Sequence, residues 1–148
     1  MLVHVGSDRH GLLSGVMADE GMSARLIRHS GIADPALAAL YESALCLVVP
    51  SFYEGFCLPL VEAQRYGCPV LFADSSGTGE TGGMGGVSFR PDDLAELAEC
   101  LGRIVASAPL RATMRTSGHR NALRFSWERA ARQYEQVFDA IARQRAPG

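Results

Sequence analysis

Two glutamates, Glu54 and Glu62, are the residues whose type and spacing point most clearly to chemistry. Between them, Pro59 fits the first turn of a helix, and the free N–H groups at a helix start suit a phosphate or diphosphate. Gly55 lets the backbone approach a ligand closely. Ionised carboxylates only accept hydrogen bonds, so two of them beside an anion site would bind hydroxyl groups such as those of ribose and hexose. These residue types together indicate a binding site for a nucleotide sugar. The alternative is that Glu54 and Glu62 are both solvated acids.

The glutamates follow one of several short β-type runs that alternate with helical patterns. The runs are residues 2–5, 25–28, 46–49 and 69–72, with a weaker one at 87–89. Helices are predicted from Asp34-Pro35 and from Pro59 to near Gly67, and the glycine-rich stretch 74–86 is predicted to be a loop. This alternation predicts a parallel α/β sheet. In such sheets ligands bind beyond the carboxyl ends of the strands, where residues 46–49 lead into Glu54.

A wholly helical pattern follows Pro91. Asp92-Asp93, Pro109 and Ser126 each mark the start of a predicted helix, and the helices after Asp93 and Ser126 have apolar residues at spacings of three and four. The chain therefore divides into a Rossmann-like region at residues 1–91, predicted to bind a nucleotide sugar, and C-terminal helices at 92–148 that are expected to pack on the same domain.

The composition fits a soluble globular domain. The chain has 148 residues, of which 47% are hydrophobic and 20% are charged. Its longest uncharged apolar run, residues 44–52, is far shorter than the ~20 residues of a membrane span. The first residues contain no basic region followed by an apolar segment, so no secretory signal is expected. The four cysteines show no zinc-ligand spacing, which favours a reducing, cytoplasmic location and no metal site.

Charge is distributed unevenly along the chain. Residues 1–102 carry five arginines and thirteen acids, whereas residues 103–148 carry nine arginines and three acids, and there is no lysine. A basic segment attracts phosphates, nucleic acid or anionic lipid, but a solvated helix face that balances an acidic neighbour explains it as well. We expect no nucleic-acid partner, and peripheral contact with the inner face of a membrane stays open as an alternative.

The run PSFYEGFCLPLVEAQRYGCPV, residues 50–70, closely resembles the signature of retaining glycosyltransferases of family 4 (group 1 transferases). Further matches keep the family's order and spacing: His29-Ser30-Gly31, Leu37 to Tyr41, Glu80 to Gly83, Phe89-Arg90-Pro91 and Phe125 to Arg129. The resemblance covers essentially the whole chain and is mannosyltransferase-like. It implies the C-terminal, donor-binding domain of the two-domain GT-B fold, with a Rossmann-like parallel sheet and a helical C-terminal extension.

The resemblance also implies roles for individual residues. Glu54 matches the residue that binds hydroxyls of the donor sugar and is the catalytic candidate, while Glu62 matches the residue that grips the nucleotide ribose. His29 lies where the base is usually held. The backbone N–H groups near the donor sugar and diphosphate are those of Gly55, Phe56, Cys57 and Leu58. The family has no obligatory catalytic metal, so no cofactor is expected besides the nucleotide diphosphate sugar, which is the donor substrate.

The implied reaction is transfer of a hexosyl unit from this donor to a hydroxyl acceptor, with retained anomeric configuration. Family members have two domains, and this chain resembles only the second, without its opening strand. We therefore expect an N-terminal acceptor domain or a partner chain. The strand runs 2–5 and 46–49 would then pair directly, accept a strand from another chain, or belong to a fragment. A partner-dependent binding module and an inactive truncated fragment are the alternative functions, and a glycosidase that uses both glutamates is a third.

Two side chains near the motif allow different interpretations. Cys57, where the family usually has Gly, lies near a helix start, which is expected to lower its thiol pKa; a structural thiol is the alternative. Glu80 is either a helix-starting acid or part of the donor pocket.

Overall fold

The computed structural model describes residues 1–8, 11–18 and 20–145, and the chain divides into two compact units, Met1–Ala39 and Leu40–Gly148. The strands are β1 (Leu2–Val5), β2 (Leu26–His29), β3 (Leu47–Val49), β4 (Val70–Ala73) and β5 (Val87–Phe89). The helices are α1 (Leu12–Met17), α2 (Glu20–Ser23), α3 (Asp34–Ser43), α4 (Leu58–Arg65), α5 (Thr78–Gly82), α6 (Leu94–Ala106), α7 (Ala108–Ala122) and α8 (Trp127–Arg145), and a 3-10 turn covers Gly83–Gly85. No helix of the described residues is long and apolar enough to cross a membrane.

The first unit contains a parallel pair of strands. β1 pairs with β2 so that Leu2 lies opposite Leu26. Before α1, the carboxylate of Asp8 accepts hydrogen bonds from the N–H and hydroxyl of Ser14 at 3.1 and 3.2 Å. Both strands were predicted to within one residue, but α1 and α2 were not predicted, because helices of six and four residues are too short to show a helical period.

The second unit is built on a parallel sheet of β3, β4 and β5, with β4 in the centre. All four residues of β4 are buried, as a near-continuous apolar strand requires when both faces of the sheet are covered. The core cluster consists of Leu71, Ala73, Phe89, Cys100, Ile104 and Met114. Among the described residues β1 pairs only with β2, and β3 only with β4, so direct pairing of residues 2–5 with 46–49 is not found.

The prediction of a loop over residues 74–86 is wrong in part, because α5 and the 3-10 turn lie within it. Thr78 fixes the start of α5: its Oγ1 accepts from the N–H of Ser75 at 3.0 Å and donates to the carbonyl of Ala73 at 2.6 Å. At the other end, amides of Asn121 and Gln64 donate to backbone carbonyls of α5. These long-range hydrogen bonds offset the low helix propensity of the glycines.

Two of the three C-terminal helices, α6 and α8, begin at the predicted capping residues, whereas α7 begins one residue before the predicted Pro109 and is capped by Ser107. The carboxylate of Asp93 accepts from the N–H of Glu96 at 2.8 Å before α6, and the hydroxyl of Ser107 accepts from the N–H of Leu110 before α7. The hydroxyl of Ser126 accepts from the N–H of Arg129 before α8. The predicted apolar stripe of α8 is present but exposed, with Trp127, Tyr134, Val137, Phe138 and Ile141 all 45–79% accessible.

Buried thiols give the stability of the chain a specific dependence on pH. Burial raises the pKa of Cys57, Cys100 and the partly buried Cys46 above the ordinary value of 9.0, and raises the pKa of Cys68 to about 11. The unfolded thiols therefore ionise first as the pH rises through 9.0, and the free energy of unfolding falls. Cys68 alone should lower it by roughly 1 kcal/mol at about pH 10.

Urea unfolding at about pH 7 and pH 10 measures this effect. We expect a lower free energy of unfolding at the higher pH, and a smaller difference for Cys68→Ala. Equal free energies at the two pH values would contradict the raised thiol pKa values.

Candidate functional site

The loop that joins β3 to α4 carries the residues singled out in the sequence. α4 begins at Leu58, one residue before the predicted start, with Pro59 in its first turn. The N–H of Leu58 donates to the carbonyl of Phe56 at 3.1 Å. Among the described residues no acceptor meets the N–H groups of Gly55, Phe56 or Cys57. Of the four N–H groups expected to face a ligand, three are therefore free of backbone partners within this part of the chain.

The turn after β4 fixes the backbone of this loop. The carbonyl of Glu54 accepts from the N–H of Gly77 at 3.1 Å and from the hydroxyl of Ser76 at 3.2 Å. The hydroxyl of Ser75 donates to the carbonyl of Ser51 at 2.9 Å. These contacts hold the loop that carries Glu54 against the end of the central strand.

Glu62 is held by a tyrosine from another helix. The hydroxyl of the buried Tyr41, on α3, donates to Oε2 of Glu62 at 3.3 Å. Tyr41 also stacks on Tyr66, with ring centroids 6.1 Å apart. Burial is the largest cause that raises the pKa of Tyr41, and the charge and hydrogen bond of Glu62 add to it. Tyr41 is therefore a neutral donor that orients the carboxylate, a role that its place in an apolar stripe did not indicate.

The prediction of a lowered pKa for Cys57 is wrong. The side chain is only 2% exposed, and burial is the largest cause that raises its thiol pKa. The N–H of Leu60 opposes this rise, whereas the charges of Glu54 and Glu62 add to it. Burial, with a smaller contribution from both carboxylates, thus keeps the Cys57 thiol protonated, and a thiol so little exposed does not suit rapid alkylation.

A cavity of about 530 Å³ lies beside the start of α4, within the second unit. Its lining residues are Phe56, Leu58, Val61, Glu62, Arg65, Glu80, Arg124, Phe125, Ser126, Trp127, Arg129, Ala130 and Gln133. The lining includes three of the predicted site residues, Phe56, Leu58 and Glu62, together with Glu80. The lining does not include Glu54, Gly55 or Cys57. Glu54 is nevertheless close enough to Cys57 for its charge to raise the pKa of the thiol.

A second part of the cavity wall comes from the C-terminal helices, which the sequence did not connect with the site. The ring of Phe125 meets Phe56 edge to face, with centroids 5.3 Å apart. The guanidinium of Arg124 lies over the Phe125 ring at 5.2 Å from its centroid. Nη1 of Arg129 donates to the carbonyl of Arg124 at 3.3 Å. Aromatic and cationic groups therefore line the same cavity as Glu62 and Glu80.

A buried amide network fixes this wall. Nδ2 of Asn121 donates to Oε1 of Gln64 and to the carbonyl of Thr81, both at 2.8 Å. Nε2 of Gln64 donates to the carbonyl of Gly82 at 3.0 Å. The network ties α4, α5 and α7 together. The sequence contains one signal for it: Asn121 is polar but lies on the same face of α7 as the buried Met114 and Ala122.

His29 lies at the carboxyl end of β2 in the first unit, where its side chain is exposed and its carbonyl accepts from the N–H of Gly6 at 2.9 Å. Its expected contact with a nucleotide base stays a prediction. Within the described ranges, no group of three or more His, Cys, Asp and Glu side chains could hold a metal ion.

A comparison with known families decides the ancestry of this site. The sequence profile of the family described as glycosyl transferases group 1 matches residues 2–121. The chain belongs to the group 1 glycosyl transferases. The predicted resemblance to group 1 transferases is thereby confirmed.

Individual group 1 glycosyltransferases of known function are also similar in sequence. The MMP alpha-(1->4)-mannosyltransferase of Mycolicibacterium hassiacum is 38% identical over 133 residues, which cover 86% of this chain and 32% of the relative. The D-inositol 3-phosphate glycosyltransferase of Nocardiopsis dassonvillei is 32% identical, with 92% of this chain and 34% of the relative covered. The chain spans about a third of the length of these curated relatives.

Solved structures of glycosyltransferases share the fold. Sucrose-phosphate synthase from Thermosynechococcus elongatus superposes with a TM-score of 0.85 at 28% identity, over 97% of this chain and 39% of that one. HepE from Anabaena, solved in complex with UDP, gives a TM-score of 0.80 at 22% identity, over 93% of this chain and 40% of that one. Because HepE is only 22% identical, its similarity shows that the two proteins share a fold and nothing more.

Proposed function

We propose that the chain is the donor-binding part of a retaining hexosyltransferase of family 4, which transfers a sugar from a nucleotide diphosphate sugar to a hydroxyl acceptor. A first domain or a partner chain supplies the acceptor site. The mannosyltransferase among the relatives supports a hexose as the transferred sugar, and the complexes of HepE with UDP and UDP-glucose support a nucleotide sugar as the donor.

The observation that carries this proposal is the placement of Glu62. Its carboxylate lines the cavity at the start of α4 and is oriented by the Tyr41 hydroxyl. A carboxylate that is fixed and partly exposed is suited to accept hydrogen bonds from the two hydroxyls of a ribose. In this role Glu62 holds the nucleoside; the contact of His29 with the base is proposed from the family resemblance alone.

The sugar and diphosphate then lie along the loop before α4. The N–H groups of Gly55, Phe56 and Cys57 have no acceptor in the described part of the chain, and donors of this kind suit phosphate and sugar oxygens. The backbone of Glu54 is anchored by Gly77, which leaves its carboxylate to bind sugar hydroxyls. Leu58 contributes to the wall of the cavity, and no metal is required.

Calorimetric titration of the chain with GDP, UDP and ADP and with their sugars tests the proposal. We expect one nucleoside diphosphate and its sugar to bind. Glu54→Ala should leave the affinity for the nucleoside diphosphate unchanged and weaken the nucleotide sugar roughly tenfold, because only the sugar contacts Glu54. Glu99→Ala, an exposed acid on α6, is the matched control. Failure of every nucleotide and nucleotide sugar to bind would contradict donor binding by this chain.

A further inference from the structure

Three arginines from separate parts of the second unit line one cavity. Arg65 comes from the last turn of α4, Arg124 follows α7, and Arg129 lies in the first turn of α8. We call these three side chains the arginine wall. Arg65 lies 59 positions before Arg124 in the sequence, so its convergence with Arg124 and Arg129 on one cavity is a property of the fold.

The arginine wall forms no close ion pair within the described structure, although the charge of Arg65 acts on Glu128 from a longer distance. The ion pairs among the described residues involve Arg28 and Arg90 only, and no described carboxylate lies within 4.0 Å of the arginine wall. The acids that share the cavity are Glu62, which takes a hydrogen bond from Tyr41, and Glu80. The lining therefore contains three guanidinium groups and two carboxylates, and Glu128, whose charge acts on Arg65, lies outside it.

The structure also holds two of these arginines in place. Nη1 of Arg124 donates to Oδ1 of Asn121 at 2.8 Å, and Asn121 is itself buried and fixed by Gln64. The backbone N–H of Arg129 donates to the hydroxyl of Ser126, and its guanidinium donates to the carbonyl of Arg124. Side chains that are already ordered lose less conformational entropy when a ligand binds.

We infer that the arginine wall binds a phosphate group of the ligand that occupies this cavity. Guanidinium groups present planar pairs of N–H donors that match phosphate oxygens, and Arg124 and Arg129 keep several N–H donors free of partners in the described residues. The aromatic rings of Phe56, Phe125 and Trp127 offer an apolar surface beside the wall for the rest of the ligand.

This inference rests on the proposed function for the identity of the ligand. The phosphate group can come from two sources. One is the diphosphate of the nucleotide donor, and the other is a phosphate carried by the acceptor. For either source, the arginine wall supplies the cations from within this chain.

The primary experiment uses inorganic pyrophosphate as the probe, because its binding does not depend on recognition of a nucleoside. We expect the full chain to bind pyrophosphate in a titration at low salt, and Arg124→Gln to weaken this binding at least about tenfold. Arg65→Gln, on a different element, should weaken it in the same direction. Arg120→Gln, an exposed arginine of α7 outside the cavity, is the matched control and should bind as the wild-type does.

Two further titrations distinguish the phosphate source. If the donor diphosphate binds there, Arg124→Gln weakens UDP, GDP or ADP but not the corresponding nucleoside. If an acceptor phosphate binds there, the variant weakens glucose 6-phosphate and leaves the nucleoside diphosphate unchanged. Pyrophosphate, nucleotide and sugar phosphate affinities that are all equal to those of the wild-type in both folded variants overturn the arginine wall. If the arginine variants lose pyrophosphate binding but the wild-type chain binds no nucleotide, the arginine wall is supported and only the proposed function is contradicted.

Discussion

Glu62→Ala is expected to weaken the binding of every nucleotide by roughly tenfold to hundredfold. The carboxylate is the group proposed to hold the ribose, and a hydrogen bond to a charged group contributes about 1.5–3 kcal/mol. Since the nucleoside, the nucleoside diphosphate and the nucleotide sugar all carry the ribose, all three should lose affinity together. Glu54→Ala, by contrast, should affect only the nucleotide sugar. Calorimetric titration of both variants against the same ligand series separates the two roles.

Tyr41→Phe refines the same prediction. The substitution keeps the ring that stacks on Tyr66 and removes only the hydroxyl that donates to Glu62 at 3.3 Å. A carboxylate without this donor should be less well oriented, so we expect a smaller loss of nucleotide affinity than for Glu62→Ala. The Glu99→Ala variant again controls for the loss of one negative charge. If Glu62→Ala folds and binds nucleotides with unchanged affinity, the ribose is bound elsewhere.

The parts of the fold that sequence analysis predicted are those specified by neighbouring residues. Asp93 and Ser126 satisfy N–H groups of the helices that follow them, and Pro109 fixes the backbone in the first turn of α7. The starts of α6 and α8 can therefore be derived locally, and the start of α7 to within one residue. The strands β3 and β4 are short apolar runs between turn residues, which is also a local signal. α5 was missed because distant amides stabilise its glycine-rich backbone.

In the candidate site, too, the residues specified by a local motif were predicted and those positioned by distant contacts were not. Phe56, Leu58 and Glu62 lie within a few residues of each other, so one motif predicts them together. The part of the wall that comes from the C-terminal helices depends on the contact between Gln64 and Asn121, which are 57 positions apart in the sequence. No local pattern shows that this amide pair brings Arg124 to the cavity. The error for Cys57 has a related cause, because the helix start was visible in the sequence but the burial of the thiol was not.

A second large effect is expected for Gly77→Ala, through the contact between the two loops of the site. A Cβ at residue 77 would lie 2.5 Å from the carbonyl oxygen of Gly55 and 2.8 Å from its carbonyl carbon. These are backbone atoms, so the substitution must displace the loop that carries Glu54, although the backbone angles at residue 77 are ordinary helical ones. Overpacking of this kind destabilises by about 1–3 kcal/mol.

The displaced loop carries Gly55 to Cys57, so Gly77→Ala should also weaken nucleotide sugars more than nucleosides, which depend on Glu62. Urea unfolding and calorimetric titration measure the two effects on one protein sample. Gly102→Ala is the matched control, because a Cβ at that position of α6 meets no atom within 4 Å among the described residues. The control should gain roughly 0.5–1 kcal/mol from helix propensity. A Gly77→Ala protein with wild-type stability and wild-type affinity for nucleotide sugars would show that the loop before α4 does not depend on this close approach.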